Sequence, residues 1–197
     1  MVKRLFDIIA SFLALAIFSP VILIVVILIK KDSAGPVFYR ARRVGWQGKE
    51  FIMYKFRTMV TNADKIGGPS TSADDPRLTK VGKTLRHFKL DELPQLVNVL
   101  SGRMSIVGPR PEVPSEMETY DPEVRKTILS VKPGMGDLAT LADLHEEEML
   151  RGSADPHAAY REKIQPEKIR LNLEYVSRKS FMLDMEIIIK TVLSALK

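Results

Sequence analysis

Leu5-Phe-Asp-Ile-Ile-Ala-Ser-Phe-Leu-Ala-Leu-Ala-Ile-Phe-Ser-Pro-Val-Ile-Leu-Ile-Val-Val-Ile-Leu-Ile29 is apolar throughout except for one charge, Asp7. A run of this length is about what the hydrocarbon core of a bilayer requires of a helix. Lys30, Lys31 and Asp32 follow it directly, with no small-residue cleavage site, so it reads as an anchor and not as a secretion signal. Two features argue against a plain crossing. Ser19-Pro20 lies within the run, and a proline there lacks the N–H that would pair with the Ala16 carbonyl, so a kink is expected. Both ends are also basic, Lys3 and Arg4 before and Lys30 and Lys31 after, which gives the positive-inside rule no direction to choose. Kinked spanning helices are common as well, so a span and a re-entrant hairpin both remain open at this point. In either case Asp7 is expected to reach the headgroups.

The chain has 197 residues, enough for one ordinary domain. Hydrophobic residues make up 45% and charged residues 27%, which excludes a disordered chain. There is no cysteine, so thiolate zinc sites, disulfide scaffolds and cysteine nucleophiles are excluded. The net charge of +6 is too small for this length to mark a nucleic-acid binder, and no nucleic-acid partner is expected.

Beyond the apolar run, Asp32-Ser-Ala-Gly-Pro36 is a turn cluster. Val37–Arg42 and Glu50–Thr58 read as the strands of a hairpin around Gly45-Trp-Gln-Gly48. Alternation in the second strand puts Ile52, Tyr54 and Phe56 on one face and Lys55 with Arg57 on the other, two cations side by side. Thr61–Pro76 reads as a loop, and Leu78–Leu100 as helical, broken at Pro94. Further helices are expected over about 122–130, 146–151 and 167–178. The closing segment Phe181–Leu196 carries Glu186 and Lys190 at i,i+4, which supports a helix too interrupted by charge to span. It either packs on the core or lies in the membrane interface, and the latter is favoured because an anchor already exists. The fold class is therefore α+β, mainly helical with a small β-hairpin or sheet, behind an N-terminal membrane helix.

The densest polar constellation runs from Lys80 to Glu112. Lys80, Lys83, Arg86 and Lys89 lead into the adjacent carboxylates Asp91-Glu92. An isolated Asp-Glu is most often a solvated surface pair. Beside several cations it suits phosphate chemistry, in which cations and Mg²⁺ neutralise the phosphates and one carboxylate acts as nucleophile or base. In Gly108-Pro-Arg-Pro-Glu112 two prolines fix the backbone around Arg110, which lowers the entropy cost of a bidentate phosphate contact. Gly134-Met-Gly-Asp-Leu-Ala139 fits G-x-G-x-x-A but follows Pro133 and lacks the surrounding strand–helix alternation, so a dinucleotide fold is set aside. His145-Glu-Glu-Glu-Met149 misses the zinc-protease pattern, and His87, His145 and His157 are too scattered to suggest a metal site.

In their order these segments resemble the monotopic phosphoglycosyl transferases, the bacterial sugar transferases that act on polyprenol phosphate. The matching pieces are Lys3-Arg4 with Asp7, Ser19-Pro20, Tyr54-Lys-Phe-Arg-Thr-Met59, Leu90-Asp-Glu-Leu-Pro-Gln-Leu-Val-Asn-Val-Leu100 and Met104-Ser-Ile-Val-Gly-Pro-Arg-Pro111. The resemblance implies that residues 1–31 form a re-entrant membrane helix bent at Ser19-Pro20. It implies that residues 32–197 form a catalytic domain on the cytoplasmic face of the bacterial inner membrane, against its lipid. The implied reaction moves a phosphosugar from a UDP-sugar to undecaprenyl phosphate and releases UMP. Asp91 is the implied nucleophile, Glu92 its neighbouring carboxylate, and both the implied Mg²⁺ ligands, while Lys55, Arg86 and Arg110 map to phosphate-holding positions. After Gly134 the sequence departs from the pattern of many small members, so the sugar is unassigned. A competing reading is a non-catalytic, membrane-anchored basic binding module, in which Asp91-Glu92 has no role.

Overall fold

The first turn of the apolar helix is polar for a structural reason. In a computed structural model that describes residues 2–68, 70–142 and 146–195, α1 spans Val2–Asp32. Asp7 is buried and accepts from the Ser105 hydroxyl at 2.8 Å and the Ile106 amide at 3.1 Å. Arg4 donates to the Val99 and Leu100 carbonyls at 2.6 and 2.8 Å, and Lys3 pairs with Asp184 at 2.5 Å. Asp7, expected at the headgroups, is thus consumed inside the protein, because the buried Ser105 hydroxyl and the Ile106 amide need partners.

The other end of α1 is held by apolar packing. Val25 and Ile29 are buried in one cluster with Phe56 and Leu85, flanked by Leu90 and Leu93, while Asp32 accepts from the Val81 amide at 3.2 Å. Between these ends lies the gap. Buried and half-buried positions follow a helical stripe from Arg4 to Leu15 and again from Val21 to Asp32, whereas residues 16–20 are all exposed. The backbone stays helical through Pro20, so the expected interruption takes the form of a lost hydrogen bond and a gap in the stripe. The Ser19 hydroxyl donates to the Ala16 carbonyl at 2.8 Å, the group that Pro20 leaves without its amide partner. Only 11% of the most apolar 18-residue stretch is buried, which distinguishes α1 from the core helix of a soluble domain.

The body is mainly helical with two small sheets. β1 (Phe38–Val44) and β2 (Glu50–Phe56) form the expected hairpin, antiparallel with Phe38 opposite Phe56 and Val44 opposite Glu50. After a short α2 (Ala63–Ile66) come α3 (Lys80–His87) and α4 (Gln95–Leu100). The break in this helical stretch lies before the acidic pair and not at Pro94. Lys89 takes φ 53°, and Leu90–Glu92 form a 3₁₀ turn between the two helices. Pro94 instead opens α4, where a missing amide costs nothing. Asn98 on α4 is buried, accepts from the Tyr54 amide at 3.0 Å and donates to the Ile52 carbonyl at 2.7 Å, pinning α4 to β2.

β3 (Ser105–Val107) pairs in parallel with β4 (Gly134–Gly136), so the glycines of this stretch belong to a strand. A Cβ on Gly134 would sit 2.0 Å from the Gly108 nitrogen, so this glycine is there for close backbone approach. Helices α5 (Pro114–Met117) and α6 (Pro122–Ile128) lie between them. After β4 come α7 (Leu138–Leu141), α8 (Glu146–Met149), α9 (Pro156–Ala159), α10 (Gln165–Arg178) and α11 (Phe181–Ala195). In α11, Leu183 and Ile187 enter the core with Val107 and Tyr175, while Phe181, Met182, Ile189, Val192 and Leu193 stay exposed. One face meets the core, as the core-packing reading expects, and the other presents an exposed apolar surface.

Replacing Asp7 by Ala leaves the Ser105 hydroxyl and Ile106 amide buried without an acceptor. The expected cost is about 1–3 kcal/mol, a fall of several degrees in the melting temperature of detergent-solubilised protein. An unchanged melting temperature would contradict this role of Asp7.

Candidate active site

Apolar and site residues alternate along the chain at the base of the cavity. Phe56, Leu85 and Leu90 pack in the cluster that holds the second half of α1. Their immediate neighbours Lys55, Arg86 and Asp91 line a cavity of about 450 Å³. One backbone therefore puts a side chain on the membrane helix and the next into the site. The first half of α1 acts on the site through β3, because Asp7 holds β3, whose chain continues through Gly108-Pro109 to Arg110.

Asp91 is 5% exposed. The Lys55 ammonium lies 3.5 Å from its Oδ2 and 2.9 Å from Glu92 Oε1, and Arg110 also pairs with Glu92 Oε1. The two carboxylates are therefore in different electrostatic states. Burial pushes the Asp91 carboxyl above the ordinary value of 3.8, with Lys55 opposing and Glu92 adding to the shift. For Glu92 burial acts in the same direction, but the Arg110 and Lys55 charges outweigh it and hold the carboxyl well below the usual range. Glu92 in turn raises the Arg110 guanidinium against its burial. One carboxylate is clamped, and its neighbour is buried with little compensation. Such divergence between paired acids is typical of sites with distinct acid–base or nucleophilic roles.

Of the residues expected from sequence, Asp91, Glu92, Lys55, Arg86 and Arg110 all line this one cavity. Arg57 does not join Lys55. It turns away beyond the end of β2 and donates to the Ser33 and Ala34 carbonyls at 2.7 and 2.6 Å, tying down the turn that follows α1. Ser19 and Pro20 lie in the exposed stretch of α1. His87 and His157 line the cavity, with His157 3.2 Å from Glu116, and His145 lies outside the described residues. Arg43, Glu112, Glu146, Tyr160 and Lys168 are among the other residues that line the cavity. Sequence reasoning missed them because they come from four separate segments. Arg43 has no carboxylate within 4.0 Å among the described residues, and burial lowers its pKa, so it offers a further charge to an anion. Its one signal in the sequence was the third cation in Arg40-Ala-Arg-Arg43.

The described residues contain no group of three or more His, Asp or Glu side chains placed to hold a metal. The donor set of Asp91 and Glu92 is all oxygen, and both cation contacts on Glu92 fall on Oε1. This suits Mg²⁺, which takes one or two carboxylates and completes its shell with phosphates and water.

Asp91 and Glu92, beside the cations Lys55, Arg86 and Arg110, line a cavity in a body that also carries an otherwise exposed apolar helix. The family follows from comparison with known proteins. Residues 1–197 match the family described as Bacterial sugar transferase, and the chain belongs to that family and is a transferase. The exopolysaccharide production protein ExoY of Sinorhizobium fredii (strain NBRC 101917 / NGR234) is 37% identical over 205 residues, which cover 96% of this chain and 83% of that protein. The exopolysaccharide production protein PSS of Rhizobium leguminosarum bv. phaseoli is 40% identical over 201 residues, covering 98% and 94%. The UDP-glucose:undecaprenyl-phosphate glucose-1-phosphate transferase of Escherichia coli (strain K12) is 38% identical over 195 residues, covering 98% of this chain and 39% of that enzyme. The chain thus spans most of the first two proteins and about two fifths of the third.

The raised pKa of Asp91 has a consequence for stability. An acid whose folded-state pKa exceeds its unfolded value stabilises the fold below the unfolded pKa, and that contribution is lost as pH rises through the folded one. Asp91→Asn is therefore expected to melt at a higher temperature than wild type at pH 7, with the gap closing as pH falls toward 4. Glu92→Gln removes the charge that Arg110 and Lys55 share and is expected to cost roughly 3–5 kcal/mol. Thermal melts of both variants across pH test the pair, and a destabilised Asp91→Asn at pH 7 would contradict the assignment.

Proposed function

We propose that the chain transfers a sugar phosphate from a UDP-sugar to undecaprenyl phosphate, releasing UMP and forming the polyprenol-diphosphate-sugar, through a covalent intermediate on Asp91. The observation that carries this reading is the buried, under-compensated Asp91 carboxylate at the cation-ringed end of the cavity. The names of the E. coli and other relatives give the reaction class that fits such a site.

Asp91 attacks the phosphorus that bears the sugar. An Asp91 Oδ–P bond forms, the bond from that phosphorus to the bridging oxygen breaks, and the electron pair leaves with UMP. An oxygen of the polyprenol phosphate then attacks the same phosphorus, the Oδ–P bond breaks, and the Asp91 carboxylate is restored. Splitting one transfer into two displacements is the advantage of a covalent route. Desolvation makes Asp91 a stronger nucleophile than a hydrated carboxylate, while the Lys55 ammonium 3.5 Å away favours its ionised form. Arg110 and Arg86 bind the diphosphate, and Glu92 fixes the Arg110 fork in place. Bound by Asp91 and Glu92, a Mg²⁺ ion would neutralise charge on the diphosphate.

In this reading residues 1–31 enter the cytoplasmic leaflet of the inner membrane and return, and residues 32–197 form the catalytic domain on the cytoplasmic side. Support comes from the two ends of α1. Its 31 residues would extend about 45 Å if straight, yet Arg4 is bound to α4 while Val25 and Ile29 pack with Leu93, at the other end of that six-residue helix. A spanning helix separates its two ends by the full bilayer, with no folded body in contact with both. The exposed face of α11 adds apolar surface beside the first half of α1, where Phe6 meets Phe181 edge-on at 5.4 Å.

Release of UMP by detergent-solubilised protein with Mg²⁺, undecaprenyl phosphate and a panel of UDP-sugars tests the reaction. Lipid-dependent UMP is expected from one donor, with Asp91→Asn slower by about 10³-fold or more. Turnover by that variant at the wild-type rate would remove Asp91 as nucleophile, and no UMP from any donor would overturn the reaction class.

A further inference from the structure

Beyond Arg110 the cavity ends in a second polar cluster that the phosphate chemistry leaves unused. Lys168 on α10 is 4% exposed, and its ammonium lies 3.4 Å from Glu112 and 3.2 Å from Glu146. It also donates to the Tyr160 hydroxyl at 3.1 Å, and that hydroxyl donates to Glu112 Oε1 at 3.0 Å. All four side chains line the cavity that holds Asp91. A buried ammonium and phenol with one buried and one partly exposed carboxylate are costly to keep in one place. An apolar set would hold α10 against the body as well, so the cluster's chemistry calls for a ligand that uses it.

Its composition and position identify that ligand. Carboxylates accept from hydroxyl groups and an ammonium donates to them, the pattern required by a ring bearing several hydroxyls. A pyrimidine base favours an aromatic face. The ring of Tyr160 is instead capped by Lys168, 5.1 Å from the ring centroid. Glu112 follows Arg110 by two residues, so their Cα atoms lie within about 7 Å of each other. In a UDP-sugar the sugar hangs by one oxygen from the attacked phosphorus, whereas the nucleoside lies beyond a second phosphate. The hydroxyl-binding wall nearest the reacting centre therefore faces the sugar.

We propose that Glu112, Glu146, Lys168 and Tyr160 form the subsite that binds the hydroxyl groups of the donor sugar and thereby sets which UDP-sugar the chain accepts. Glu112 and Glu146 accept from the hydroxyls, while Lys168 holds both carboxylates in place and donates. The inference rests on the transferase reading above and adds the residues that choose the donor.

The test is calorimetric binding by the whole, detergent-solubilised chain with Mg²⁺. The probes are UDP-glucose, UDP-galactose, UDP-N-acetylgalactosamine and UDP, against wild type, Glu146→Gln and Glu112→Gln. Glu146 is partly exposed on a four-residue helix, so its isosteric amide is expected to fold even where changes at Lys168 fail. Wild type is expected to bind one UDP-sugar more tightly than UDP. In each variant affinity for that donor falls about tenfold or more, and affinity for UDP changes less than twofold. Equal losses for UDP and the UDP-sugar would place the nucleoside at the cluster and overturn the proposal. Unchanged binding of both, with or without a lower melting temperature, would make the cluster purely structural and overturn it too. Wild type that binds UDP and every UDP-sugar equally would remove the sugar subsite alone. Wild type that binds none of the four would remove the transferase reading, and the subsite with it.

Discussion

The attachment of both ends of one apolar helix to a single folded body is the constraint on which the rest of this molecule depends. At the first end the tie is polar: Asp7 accepts from Ser105 and Ile106, Arg4 satisfies the last carbonyls of α4, and Lys3 pairs with Asp184. At the second end it is apolar, with Val25 and Ile29 against Phe56 and Leu85. Neither type of contact survives if the two ends face water on opposite sides of a bilayer. The middle of the helix, residues 16–20, is exposed throughout, and the Ser19 hydroxyl repairs part of the hydrogen bonding that Pro20 interrupts. The polar tie is directional and sets the register of the helix, whereas the apolar tie supplies area.

That attachment also builds the site. Each half of α1 supports one wall of the cavity through a neighbour one to four residues from a functional side chain. The second half packs on Phe56, Leu85 and Leu90, whose immediate neighbours in the chain are Lys55, Arg86 and Asp91. The first half fixes β3, which runs on to Arg110. In the proposed transferase reading, the depth of the helix in the membrane sets the height of the Asp91 carboxylate above it. An enzyme that joins a water-soluble donor to a lipid phosphate needs such a coupling, because its nucleophile must meet both at one interface.

Local pattern carried much of this into the sequence. The hairpin was legible because alternation and the Gly45-Trp-Gln-Gly48 turn are properties of adjacent residues, and the anchor was legible from its run of apolar side chains. What failed depended on distant partners. Asp7 reads as a headgroup contact until Ser105 and Ile106, about a hundred residues away, are seen to hold it. Pro94 drew the expected helix break because its effect is visible in the sequence, whereas the break at Lys89 rests on a positive φ that a lysine does not advertise. Arg57 was paired with Lys55 by alternation, but it lies past the last strand residue, where alternation no longer governs direction. Lys168 sits among Glu167, Arg170 and Glu174, charges of an ordinary solvated helix face, and its burial against Glu112 and Glu146 comes from tertiary packing alone. Asp91, Glu92, Lys55, Arg86 and Arg110 were grouped by resemblance and by charge, and the cavity collects all five.

The central claim is that the apolar helix enters and leaves the membrane on one side. The absence of native cysteine allows a direct measurement: single cysteines at Val2 and at Ser33, in intact cells and in inverted membrane vesicles, labelled with a membrane-impermeant maleimide. The account predicts that both positions react only in inverted vesicles, where the cytoplasmic face is outside. Labelling of one position in intact cells and of the other only in inverted vesicles would show that the helix spans the bilayer, and would contradict it.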